Sequence, residues 1–204
     1  MPAGRPRASS RATIEEAASE LFLEQGYAAT SMSDIARRAG VGRATLFGYV
    51  SAKSDLLWLE VDAALDELEE RLDRGESWVR ALDDALAGCR VPLAIGQAEP
   101  MGVVDELRVS GLLRAARLER LVARADAEHG LAARVRHRAL AGAITVAWEA
   151  WARAGIGRRP LGSYVEEALR VVSAPGAPVD SGHRRRSGHH RGVLGRNPAH
   201  RAGE

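Results

Sequence analysis

The sequence predicts an all-α protein in two parts, an N-terminal three-helix unit and a larger helical domain joined to it by a connector helix. Three observations carry that prediction. Apolar residues recur at helical spacing along most of the chain, and no period-two alternation persists. Gly26, Gly40, Gly75 and Gly130 fall where the periodic runs stop. Within the first part, MSDIARRAGVGRATLFGY at 32–49 reads as two short helices about a tight turn. With 204 residues and 46% hydrophobic content the chain can build sizeable cores, which excludes disorder throughout.

The first residues hold Pro2, Gly4 and Pro6 with Arg5, Arg7 and Arg11 and no acid, so 1–10 is expected to be a disordered basic arm within reach of phosphate or the minor groove. Ile14, Ala17, Ala18, Leu21 and Phe22 then form one helical face ending at Gly26. Its start is ambiguous: Thr13 with Glu16 makes a capping box, and Ser9 or Ser10 can cap a turn earlier.

Ser31 caps the next helix with Asp34 as its reciprocal partner, and Ile35, Ala36 and Ala39 form its buried face. Gly40 follows where the turn requires positive φ, and Val41 plugs the corner. The following helix buries Leu46 and part of Tyr49, which leaves Arg43, Ala44, Thr45, Phe47 and Gly48 on or beside its outer face. No acid lies between Val41 and Ser54, whereas an ordinary solvated face mixes signs. Arg43 is placed to read a guanine edge in the major groove. Lys53, at the start of the next helix, is placed to bind phosphate together with that helix's N-terminus. The motif spans 32–50 in a DNA-binding domain at 11–57.

The run IEEAASELFLEQGYAATSMSDIARRAGVGRATLFGYVSAKSDLL, residues 14–57, resembles the DNA-binding domain of the TetR family of bacterial repressors, through LF-x-x-x-GY, TSM-x-DIA, AGV and TLF at the family's spacing. It covers roughly a quarter of the chain. Departures are Gly42, Ala44, Phe47 and Val50, where the family often has Ser, Gly, Tyr and Phe; Gly42 weakens the N-cap and Phe47 lacks a hydroxyl for phosphate. The positions expected at DNA are Ser31, Ser33, Arg43, Ala44, Thr45, Phe47, Gly48, Tyr49 and Lys53.

Beyond Lys53, apolar positions from Leu56 to Leu68 continue a helix to about Arg74, a connector able to couple a distant pocket to the DNA-reading helix. Helices are expected at 78–90, 101–113, 114–128, 131–154 and 163–173, with Pro92, Gly96 and Pro100 marking an irregular loop. The resemblance implies that this helical domain, 58–173, holds an effector pocket, for which Trp58, Trp78, Leu107, Trp148 and Trp151 are the candidate lining. It also implies a homodimer through the last two helices, with Ala143, Ile144, Ala147, Val165, Leu169 and Val172 as the expected interface.

The tail, 174–204, is rich in Pro, Gly, Ser, His and Arg and is expected to be disordered. Its six arginines and one acid after residue 180 account for more than the whole net charge of +2, which leaves the rest of the chain at −3. DNA affinity must therefore come from local charge. His183, His189, His190 and His200 lack the cysteines, carboxylates or helical spacing of a metal site, so neither metal nor cofactor is expected. His129 and His137 stand without a nucleophile, and no glycine-rich phosphate loop appears, which argues against an enzyme. Cys89 alone excludes an internal disulfide and reads as a structural thiol. No apolar run is long enough for a bilayer, and a cytoplasmic protein without membrane contact is expected.

The composite expectation is a repressor that binds double-stranded, palindromic operator DNA as a homodimer and is released by a small, largely apolar effector. Its rival is a constitutive, effector-independent DNA-binding protein.

Overall fold

The computed structural model describes residues 7–173, with side chains from residue 11. The expectations for the start of the basic arm and for the Arg/His-rich tail lie outside those residues. Every regular element among the described residues is helical: α1 (Arg7–Gln25), α2 (Met32–Arg38), α3 (Arg43–Phe47), a 3₁₀ turn (Lys53–Leu57), α4 (Leu59–Asp73), α5 (Trp78–Ala87), the single turns α6 (Leu93–Gly96) and α7 (Ala98–Met101), then α8 (Val104–Ala125), α9 (Leu131–Arg153) and α10 (Leu161–Ser173). No helix among them is long and apolar enough to cross a membrane.

α1 begins at Arg7, earlier than any of its expected caps, so the disordered arm does not extend to residue 10. No glycine or proline separates Pro6 from Gly26, and nothing in that stretch stops the helix from extending toward the N-terminus. α8 is likewise one helix of 22 residues where two were expected. Gly111 inside it is a tolerated interior glycine that meets a neighbouring ring. A Cβ there would lie 3.1 Å from the Trp58 indole.

Two hydrophobic cores organise the fold. The first gathers Ile14, Ala18 and Phe22 of α1, Ile35 and Ala36 of α2, Leu46 of α3 and Leu56 and Leu57 of the 3₁₀ turn. Ala94, Met101 and Val103, from 37 and more residues beyond Leu57, belong to the same core, and the Tyr27 amide donates to the Met101 carbonyl at 2.9 Å. The α6–α7 segment therefore completes the N-terminal unit, although a boundary at 57 assigns it to the other domain. The second core joins α4, α5, α8, α9 and α10 around Leu68, Leu82, Leu121, Ile144 and Trp148.

Trp58 packs against both cores. Its backbone, at φ −122° and ψ 8°, leaves the helical region, so the connector is a 3₁₀ turn followed by a separate α-helix and not one continuous rod. The break lets the indole Nε1–H donate to Ser110 Oγ at 2.8 Å and seats the ring over Gly111.

Three of the expected dimer-interface residues are corrected by the packing. Ile144, Ala147 and Val165 are 1%, 2% and 3% exposed inside the chain's own second core, where α9 and α10 pack on each other and on α5 and α8. Ala143, Leu169 and Val172 are half-buried. The apolar face that α9 leaves outward is Val135, Ala139, Gly142 and Val146, at spacings of four, three and four, and Val171 of α10 is exposed as well.

At the α8–α9 turn the buried His137 bonds Asp126 at 2.8 Å, and the Glu128 amide, His137 and Arg136 together hold the Asp126 carboxyl down at about 2. The pair ties one helix end to the next. Cys89 is half-buried, donates to the Ala85 carbonyl, and has its thiol pushed up to about 12 by burial and the nearby Glu60 charge, which keeps it protonated and unreactive at neutral pH.

Candidate nucleic-acid interface and adjoining cavities

α2 is started by the expected capping box. The Asp34 amide donates to Ser31 Oγ at 3.2 Å, and the Ser31 amide and hydroxyl both donate to the Asp34 carboxylate. Those bonds, with one from Arg37, hold the Asp34 carboxyl below the ordinary carboxylate range. Ser31 is thus exposed but already engaged, while Ser33 is exposed one residue into the helix. Arg38 clamps α2 to α1 through Glu20 and Glu24.

Gly40 takes φ 65°, a left-handed conformation that costs a residue with a Cβ roughly 1 kcal/mol or more. The turn it permits sends the Val41 amide back to the Ala36 carbonyl at 3.0 Å and sets α3 across α2. α3 is anchored by Leu46, which is fully buried, and by Val50 just beyond it. Arg43, Ala44, Thr45, Phe47 and Gly48 face solvent, and Tyr49 is half-buried. Gly42 caps α3 without any side-chain bond, in keeping with the loss of a serine there. The Arg43 guanidinium sits 5.9 Å from the Phe47 ring centroid and has no ion pair among the described residues.

Lys53 is placed differently from the phosphate contact expected of it. Its ammonium donates to the Tyr27 carbonyl at 2.7 Å and the Thr30 carbonyl at 3.0 Å and lies 4.1 Å from the Tyr27 ring centroid. The helix N-terminus beside it is also occupied, because the Asp55 carboxylate accepts the Ser51 and Ala52 amides at 3.0 and 2.9 Å. An anion there would meet a carboxylate and an ammonium already shared between two carbonyls. Lys53 therefore locks the α1–α2 loop to the turn after α3.

What α2, the Gly40 turn and the acid-free outer face of α3 define is a helix-turn-helix DNA-binding domain. Bacterial regulatory proteins of the tetR family match this chain over residues 14–57, the span of those elements. Through this domain, and over those residues alone, the chain resembles that family. Its relatives include the transcriptional regulator MftR of Mycobacterium tuberculosis, 39% identical over 83 residues that make up 41% of each chain. A transcriptional repressor of the same organism is 42% identical over 74 residues, 36% of each chain. The transcriptional activator FasR of Mycolicibacterium smegmatis is 38% identical over 63 residues, 31% of this chain and 29% of that one. The chain thus spans about two fifths or less of the length of these curated relatives. Among solved structures, NalD of Pseudomonas aeruginosa, the secondary repressor of a multidrug efflux pump, is 23% identical over 81% of this chain and 97% of its own, with a TM-score of 0.46. FadR of Thermus thermophilus is 24% identical over 82% of this chain and 100% of its own, with a TM-score of 0.42.

Two adjoining cavities lie against Trp58. An inner chamber of about 290 Å³, partly open to solvent with the exposed Leu112 in its lining, runs between α4, α8 and α9, walled by Val61, Leu65, Leu107, Leu118, Thr145 and Trp148. An outer, more polar cleft of about 640 Å³ is bordered by the α6–α7 segment, Glu149 and Arg153. Trp58, Ile95, Leu107, Arg108 and Glu149 line both. Of the five candidate pocket residues, Trp58, Leu107 and Trp148 are brought together at the chamber. Trp78 and Trp151 line neither cavity: Trp78 packs on the outside of the second core, and Trp151 is buried within it, close to Arg158.

Arg114, which no sequence motif marks, also lines the chamber. Its guanidinium bonds Asp62 at 2.7 Å and Asp55 at 2.8 Å and lies 5.7 Å from the Trp58 ring centroid.

Proposed function

We propose that this chain is a ligand-responsive repressor that binds a near-palindromic operator as a homodimer and releases it when a small molecule occupies the second domain. The observation that carries the reading is the exposed outer face of α3, five residues without an acid and with an Arg43 that has no ion pair among the described residues, set over a buried Leu46. One such short helix offers few base contacts, so specificity calls for two copies spaced by about one turn of DNA, roughly 34–36 Å. The outward apolar face of α9 supplies a self-complementary surface for that pairing.

Arg43→Ala is expected to cost about 1–3 kcal/mol on the operator and to relax the preference at one base pair of each half-site. Binding of the full chain to operator and to random DNA, by fluorescence anisotropy, measures this. Equal losses on both would reassign Arg43 to the backbone. Adding metabolite extract to the protein–operator complex tests the second half of the reading. Retention of the operator in every fraction would favour a constitutive DNA binder.

A further inference from the structure

Apart from the outward face of α9, a second apolar surface lies on α8. Val109, Leu112 and Leu113 are 67%, 69% and 69% exposed, and Ala116 is exposed on the same side of the helix. The basic residues that would ordinarily break up such a stripe face α4 instead, where Arg114, Arg117 and Arg124 bond Asp62, Asp66, Glu69 and Asp73. Contiguous exposed apolar side chains of this size mark an interaction surface. We infer that a second copy of the chain covers it, laying its own α8 antiparallel along the stripe.

The occupant follows from the symmetry of the stripe about its two leucines. Val109 lies three residues before Leu112, and Ala116 three residues after Leu113. Asp105 lies seven before Leu112, and Arg120 seven after Leu113, each about two helical turns out on the same face. A twofold axis between Leu112 and Leu113 therefore sets leucine against leucine, Val109 against the partner's Ala116, and Asp105 against the partner's Arg120 at both ends. Run parallel and in register, the same two helices would oppose Asp105 to Asp105 and Arg120 to Arg120. Charge thus selects the antiparallel pairing.

Both charges are available for it. Arg120 is exposed and has no ion pair among the described residues. Asp105 bonds Arg108, one turn on, at 2.8 Å, but both side chains are exposed and such surface pairs hold their partners weakly.

One helix face against another is small beside the roughly 1,200–2,000 Å² of a standard interface, so the contact is weak between free chains. It gains weight where chains are already held close, as on neighbouring sites of one DNA molecule.

Sedimentation equilibrium on the full, DNA-free chain, from low micromolar to submillimolar concentration, tests the inference. The average mass should rise to at least twice that of the low-concentration species, whichever species that is, so the result stands apart from the α9 reading. Leu113→Glu should abolish the rise; the leucine is exposed, and circular dichroism should show the variant folded. Asp105→Arg and Arg120→Asp should each weaken association about tenfold, since each places two pairs of like charges at one twofold contact. The two reversals together should restore it, which neither loss of fold nor a general change of surface charge would do. If Leu113→Glu fails to fold, the charge reversals still decide. A mass independent of concentration, as expected if a different protein covers α8, would overturn the inference. So would a rise unchanged by Leu113→Glu, or a double reversal as weak as either single one.

Discussion

Arg114 reaches across 59 residues of sequence to bond Asp55 at 2.8 Å, which joins the wall of the inner chamber to the turn that follows the DNA-reading helix. Asp55 in turn accepts the amides of Ser51 and Ala52, the first residues after Val50. Although burial pushes its carboxyl up, the bonds from Arg114 and those two amides outweigh this and hold it below the usual carboxylate range. Arg114→Met should leave Asp55 and Asp62 unmatched and destabilise the fold by about 3 kcal/mol, the low end for a broken buried pair because both carboxylates retain some exposure. A double-mutant cycle with Asp55→Asn, read by chemical denaturation, should return a coupling of about 1 kcal/mol or more. Strict additivity would show that the two groups do not act together.

Lys53→Met should lower stability by about 1–2 kcal/mol through the two carbonyls it abandons, while the salt dependence of DNA binding keeps its slope. A slope reduced by about one unit would place the ammonium on a phosphate after all.

Val146→Arg and Ile144→Arg should behave in opposite ways although they lie two residues apart. Val146 is 65% exposed on the outer face of α9, so its replacement should yield a folded monomer with poor operator affinity. Ile144 is sealed in the second core, and a buried guanidinium there should unfold the chain. Light scattering and circular dichroism together separate the outcomes; a Val146→Arg dimer would move the interface elsewhere.

Glu15 of α1, Glu60 of α4 and Arg90 after α5 meet in one cluster, with Arg11 nearby. Burial, followed by the charge of Glu60 and a hydrogen bond to it, pushes the Glu15 carboxyl from 4.5 up to about 7. The folded chain therefore holds a proton that the unfolded chain has released across that window, so this group's contribution to stability falls as pH rises from 4.5 to about 7. Glu60, held below its ordinary value because its bonds to Arg90 and Glu15 outweigh burial, contributes in the opposite sense, and that contribution is lost as pH falls through its lowered value. Glu15→Gln should melt a few degrees above the parent at about pH 8 and together with it at about pH 5. A gain of equal size at both pH values would refute the assignment.

Local signals were legible in the sequence and distant partnerships were not. The Ser31–Asp34 capping box, the Gly40 turn and the burial of Leu46 each depend on residues within a few positions, and each stands as read. The intramolecular role of Lys53 was not legible because the acceptors its ammonium finds, the carbonyls of Tyr27 and Thr30, are backbone atoms that no residue type advertises. Ile144 and Val146 are both apolar and close in sequence, and the packing of α8 and α10 on α9 decides which one is covered. The break at Trp58 was hidden because the groups its indole meets, Ser110 and Gly111, lie 52 and 53 residues away.

Met101 and Val103, both fully buried beneath α1, make the DNA-reading module less portable than its sequence boundary implies. A chimera that grafts residues 1–57 onto the body of a relative would carry the helix-turn-helix intact but leave a hole where these two side chains sit, and would strand the Tyr27 amide that Met101 satisfies. Exchange of operator specificity between such proteins therefore has to import the segment 94–103 along with the N-terminal domain, or confine itself to the outer face of α3.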